Sequence, residues 1–273
     1  TETLYYASDT RPYGVWIGSV GSAPGVNLFA REHPTDVAGV MIGRNAEVPG
    51  VAPAARLHSL AFVDAQDDSF NAVNLQSLAQ TAGMKAINIS WSAENDFLET
   101  NGRSLFAQFV DWSARRHDVL YVVAGGNIPD FDRSAADQYN GITVAASAPD
   151  MDGVYSKFSY INRDPTFRDQ NFYDRSYIDI MAPGESVLVQ STNNRLLLRD
   201  GTSYATPHVT GTVALLWQYR DRQWELGNER FSELPHYAVK AVIMNSADKI
   251  ALVHGSTRTI TNHLGQNWLQ TPA

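Results

Sequence analysis

Short unbroken apolar runs alternate along the chain with longer stretches whose apolar residues recur at helical spacing. Residues 15–20 predict a strand, and a helix runs through 37–42. Residues 57–62 suggest a short strand, followed by a helical stretch over about 70–82. Residues 86–90 read as a buried strand and 105–116 as an amphipathic helix. The clearest buried strand is 119–124, whose apolar run is continuous and stops at two glycines. Further strands are expected at 142–146 and 177–181, and helices over about 205–219 and 236–246. Strands separated by helices of this length imply a largely parallel sheet covered on both faces. In such folds reactive groups collect beyond the carboxyl ends of the strands. Residues 150–175, rich in Asp, Asn and Ser, are expected on the surface. The stretch 251–273 is polar and rich in Thr and Asn, and reads either as a tail or as the start of a further segment.

Composition narrows the field. With 273 residues, 44% hydrophobic and 18% charged, the chain can build a substantial core. No linker divides it. The formal charge of -8 comes without a Lys/Arg block, which argues against nucleic acid as a partner. The lack of cysteine excludes disulfides, thiolate metal sites and cysteine nucleophiles, but leaves the compartment open. No apolar run reaches the roughly 20 residues needed to span a bilayer. The amino terminus lacks signal-peptide features, although a signal could already have been removed.

The strongest local signal is GTSYATPHVTGTVALLWQY, which begins at Gly201. Ser203 precedes a helical pattern, and Pro207 is expected in the first turn, where its missing N–H costs little. A serine at such a boundary has exposed amides beside it, and the positive helix end favours oxyanion charge. The competing reading is a plain N-cap. His33 opens HPTDVAGVMIG, and Asn127 ends VVAGGN, where a loop-closing hydrogen bond competes with a functional role.

GTSYATPHVTG resembles the nucleophile signature of the subtilisin-like serine peptidases, in which Gly-Thr-Ser-x-Ala-x-Pro precedes an apolar residue and Gly. His33 is similar to the first histidine of that family's His-Gly-Thr-His-Val-Ala-Gly segment. Thr35, Val37, Ala38 and Gly39 match it, while Pro34 replaces a glycine and Asp36 the second histidine. The likeness continues through GVAPAARLHSL from Gly50, INIS from Ile87, FSY, MAPG and VKAVIMNSADKI, covering most of 39–250 in order.

The resemblance implies a three-layer α/β subtilisin-like fold with a mostly parallel central sheet. It also implies one catalytic domain over 1–273, with processing or truncation at either end left open. The function implied is serine endopeptidase, working through an acyl-enzyme intermediate on protein or peptide substrates. Ser203 would be the nucleophile, His33 the general base and Asn127 the oxyanion-hole donor. Asp9 would be the triad acid, although only 24 residues separate it from His33, shorter than the family's spacing; a surface turn competes. Ser90, Trp91 and Ser92 would present an edge to substrate, and Ala124, Gly125 and Gly126 would line the primary pocket. No cofactor is required. Structural calcium is an option, with Asp64, Asp67, Asp68, Asp150 and Asp152 as acidic candidates, but no recognisable calcium loop is present. A secreted or extracellular setting is expected, and oligomeric state stays open. The alternative is a catalytically impaired fold used for binding or scaffolding. A serine esterase is disfavoured by the missing GxSxG elbow.

Overall fold

A computed structural model describes residues 2–3, 16–18, 32–60, 68–90, 102–127, 136–149, 155–157, 178–247, 258–261 and 267–270. Strands β1 (Glu2–Thr3) and β2 (Trp16–Gly18) precede helix α1 (Glu32–Ile42) and strand β3 (His58–Leu60). Helix α2 (Asp68–Ala79), strand β4 (Ala86–Ile89), helix α3 (Leu105–His117) and strand β5 (Leu120–Ala124) follow. Next come β6 (Ile142–Pro149), β7 (Tyr155–Lys157) and β8 (Ile180–Pro183), then β9 (Val187–Gln190) and β10 (Leu196–Arg199). Helices α4 (Thr202–Glu225) and α5 (His236–Ser246) precede β11 (Arg258–Thr261) and β12 (Asn267–Gln270).

Strands β4, β5, β6 and β8 pair in parallel, and β7 adds to β6 antiparallel. The unbroken apolar run of β5 has a simple cause. Leu120 and Val122 face a core shared with Ala205, Val209 and Val213 of α4 and Val239 and Ile243 of α5. Tyr121 and Val123 face the opposite core, with Leu75 and Ala79 of α2 and Phe106, Val110 and Ala114 of α3. Period-2 alternation sends successive side chains to opposite sides, so a strand covered on both faces must be apolar throughout. This makes three layers: helix pair, sheet, helix pair.

The α3 helix begins where Ser104 Oγ accepts the Ala107 N–H at 3.0 Å, and ends at Asp118 in the left-handed region. Arg115 and Arg116 occupy its last turn, where positive charge complements the helix dipole.

The structure corrects the expected pattern in several places. Among the described residues the strands form separate sheets, since β2 pairs in parallel with β3 and antiparallel with β1, and none of the three pairs with the larger sheet. The hairpins β9–β10 and β11–β12 were not expected, and the latter lies in the polar carboxyl-terminal stretch. Helix α4 starts at Thr202 and runs to Glu225, so Ser203 is its second residue and Gly201 its N-cap. The plain N-cap reading of Ser203 is thereby excluded. Pro207 sits in the second turn instead of the first.

Candidate active site

The start of α4, the carboxyl ends of β4 and β5, and the start of α1 meet at one place. Gly201 enters α4 at φ 139°, a conformation that side-chain-bearing residues rarely adopt. Its N–H donates to the Gly184 carbonyl at 2.8 Å, anchoring the turn to the end of β8.

Pro207 has no N–H, so the carbonyl four residues earlier, on Ser203, loses its helical donor. Ser90, just past β4, fills that role: its Oγ donates to the Ser203 carbonyl at 2.8 Å. In return Ser203 Oγ donates to the Ser90 carbonyl at 3.3 Å, and not to His33. Asn88 Nδ2 donates to Ser90 Oγ at 2.9 Å, and Thr210 Oγ1 donates to Asn88 Oδ1 at 2.9 Å. A continuous polar string thus ties β4 to two turns of α4. Sequence reading missed Asn88 and Thr210, yet Pro207 was a usable signal, because a mid-helix proline announces an orphaned carbonyl.

Asn127 follows β5. The Thr202 N–H and hydroxyl both donate to its Oδ1, at 2.9 and 2.8 Å. A backbone N–H can only donate, so the facing atom is the amide oxygen. That orientation turns the NH2 group away from Thr202 and leaves it to donate elsewhere.

His33 is the second residue of α1 and Pro34 the third, inside the first turn where an N–H would have no helical acceptor. The His33 ring meets Tyr204 edge-on, with centroids 5.7 Å apart, so the histidine lies beside the residue that follows Ser203. His33 is exposed to solvent, yet the protein atoms beside its imidazole disfavour the charged form and hold its pKa below the ordinary value of 6.5. Asp36 pulls the other way, and Arg199 reinforces the lowering. Burial likewise raises the Tyr204 hydroxyl.

Ala124 and Gly125 are buried, and Gly126 turns the chain at φ 92° towards Asn127. The Gly125 N–H donates to Val144 O at 2.9 Å, prolonging the β5–β6 pairing. A Cβ there would come within 2.5 Å of Ile178 Cδ1, so this position accepts only glycine without rearrangement.

A subtilase family profile matches residues 20–267. The chain belongs to the subtilase family. It is 31% identical over 193 residues to a thermostable alkaline protease of Halalkalibacterium halodurans, covering 67% of this chain and 46% of that protein. The chain therefore spans less than half of that relative's length. Among solved structures, the self-cleaved protease domain of PatA is 28% identical with a TM-score of 0.61, covering 85% of this chain and 80% of that one. A cold-adapted subtilisin-like serine proteinase, 20% identical with a TM-score of 0.54, covers 79% of this chain and 68% of that one and shares the fold.

Of the expected subtilase site residues, Ser90, Ala124, Gly125, Gly126, Asn127, His33 and Ser203 lie around the amino end of α4 or on the strands leading to it. Asp9, Trp91 and Ser92 lie outside the described residues, as do Asp64, Asp67, Asp150 and Asp152. Asp68 opens α2. Among the described residues no group of three or more His, Asp or Glu side chains could hold a metal. No helix described is long and apolar enough to cross a membrane.

Proposed function

We propose that this subtilase is a serine endopeptidase that works through an acyl-enzyme. The observation that carries the reading is the clamp of Thr202, the residue before Ser203, on Asn127 Oδ1, which fixes the amide oxygen and leaves the uncharged NH2 to donate elsewhere. In this mechanism Ser203 Oγ leaves the Ser90 carbonyl and attacks the scissile carbonyl of a bound peptide. His33 takes the hydroxyl proton. The tetrahedral oxyanion accepts hydrogen bonds from Asn127 Nδ2 and the Ser203 N–H. That N–H, at the second position of the helix, has no helical carbonyl to meet. Protonated His33 then gives its proton to the leaving amine, and water repeats the cycle to free the acyl group. Asp9 is the proposed acceptor for the other ring N–H of His33, fixing the tautomer. Extended peptide would pair along Ser90–Trp91–Ser92. An extracellular setting and structural calcium belong to the same reading and draw support from family likeness alone.

The bond from Ser203 Oγ to Ser90 favours a second reading, a binding or scaffold domain without turnover. Catalytic hydrogen bonds often tighten only in the substrate complex, so the active reading accommodates it. The test is a fluorophosphonate probe, with the adduct located by mass spectrometry, alongside digestion of a mixed peptide library. The expected result is a single adduct on Ser203, internal cleavage of peptides, and loss of both in a folded Ser203→Ala variant. The rate loss should be on the order of 10⁶-fold, a scale carried over from subtilisin itself. A folded chain that neither labels nor cleaves is a scaffold, and labelling without peptide cleavage would point to an esterase.

A further inference from the structure

The HPTD entrance to α1 departs from the family's His-Gly-Thr-His pattern, and the second departure has a partner in space. Asp36 is fully buried, at 0% exposure. Its Oδ2 accepts from Arg199 Nε at 2.7 Å, while Oδ1 has no hydrogen-bond partner. Arg199 ends β10, four residues before Ser203, and Asp36 lies three residues after His33. One ion pair therefore joins the segments that carry the proposed base and nucleophile.

The pair is part of a larger fork. Arg199 Nη2 donates to Glu32 Oε2 at 3.1 Å, and Arg195 also binds the Glu32 carboxylate. Glu32 and Asp36 stand four apart on α1, one before His33 and one after, so they share a helix face. A planar guanidinium spans two carboxylates in a way that a single ammonium does not. Tyr204, the residue after Ser203, packs edge-on against the His33 ring. Among the described residues, the charged and titratable groups around His33 include Glu32 and Asp36 on its own helix, Arg199 on β10, Arg195 before it, and Tyr204 on α4.

We infer that Asp36 and Arg199 are positioning residues, which with Glu32 clamp the entrance of α1 to the β10–α4 junction and set where His33 stands relative to Ser203. This rests on the serine-peptidase reading of those two residues. A pair needed only for packing would be replaced at little cost by apolar side chains of similar volume. Here the charges bracket the base instead, with Arg199 disfavouring and Asp36 favouring its protonated form.

The experiment compares the parent with Arg199→Gln, Arg199→Lys, Asp36→Asn and the double variant Asp36→Asn/Arg199→Gln. Fold is followed by circular dichroism, and kcat and KM for a peptide substrate are followed against pH. Misplacement of the base predicts a kcat loss on the order of ten- to 100-fold in Arg199→Gln, with KM little changed. The acidic limb of kcat/KM should move to higher pH in Arg199→Gln, because the cation is gone and Asp36 acts unopposed. It should move to lower pH in Asp36→Asn. Arg199→Lys should keep the limb while losing rate. The double variant, with no stranded charge, should recover part of the loss and decides the matter if Arg199→Gln fails to fold. Parental kcat and an unmoved limb in folded single variants would overturn the proposal. Titrating the His33 ring by NMR in a Ser203→Ala background requires no turnover. If the parent hydrolyses nothing, the peptidase reading fails while this measurement still decides: opposite shifts support the clamp, and unchanged titration rejects it.

Discussion

His33 can act as a base only while neutral, so its environment sets the pH range of the proposed reaction. Because crowding lowers its pKa from 6.5, the neutral form persists further into acid than for an ordinary histidine. The kcat/KM profile should rise with pH through a midpoint below 6.5; a midpoint above it would mean that another group limits the rate. Asn127 offers a second test at the residue scale. Asn127→Ala should lower kcat by about 100- to 1000-fold, the scale known from subtilisin's oxyanion hole. Asn127→Asp keeps an acceptor for Thr202 but loses the donor and adds negative charge beside the oxyanion. It should therefore hold parental stability in urea and lose at least as much rate. Near-parental kcat in either variant would remove Asn127 from the mechanism.

At the scale of the element, α4 owes its geometry to two residues that break helical rules. Gly201 supplies the φ of 139° that starts the helix beside Asn127. Pro207 breaks the hydrogen-bond ladder and leaves the Ser203 carbonyl to Ser90. Ser90→Ala should then cost about 1–3 kcal/mol, the penalty for a polar group left unsatisfied. In a Pro207→Ala background the helix regains its own N–H donor, so the same change should cost distinctly less. Urea midpoints of the four proteins in this cycle measure the coupling, and equal costs in both backgrounds would reject it. The sequence made α4 itself legible through its apolar period. Its true start was hidden, because only the tertiary contact with Ser90 explains how a proline is carried in the second turn.

At the scale of the whole molecule, two histidines tie stability to pH. Neighbouring protein atoms hold the half-buried His208 and the more exposed His33 below the ordinary value, and for His208 a contact with the Tyr204 carbonyl at 2.8 Å opposes this only in part. In the unfolded chain both protonate near 6.5, while in the folded chain they protonate at lower pH. Above that value neither state gains a proton and the histidines contribute nothing to the pH dependence. Below it the unfolded state binds protons first, so stability falls until the folded-state pKa values are reached. Urea midpoints measured from about pH 8 to about pH 5 should therefore decline, and less steeply in His208→Gln. A variant with the parental slope would show that His208 plays no part.

By itself the sequence determined the layered α/β architecture, because a doubly buried strand such as β5 must be apolar throughout and its covering helices must each show one apolar face. It also supplied the candidate nucleophile, through the resemblance of the long local pattern GTSYATPHVTG to the subtilase signature. What it could not determine were contacts between segments far apart in the chain. Asp36 looked like a lost histidine until the fold brought Arg199, 163 residues later, to its carboxylate. Ser90 is expected at the substrate edge from its motif, but its bond to the Ser203 carbonyl, 113 residues away, is visible only in the fold. Periodicity and motifs report what a residue needs locally, whereas a buried charge or an orphaned carbonyl finds its partner only when tertiary packing excludes water.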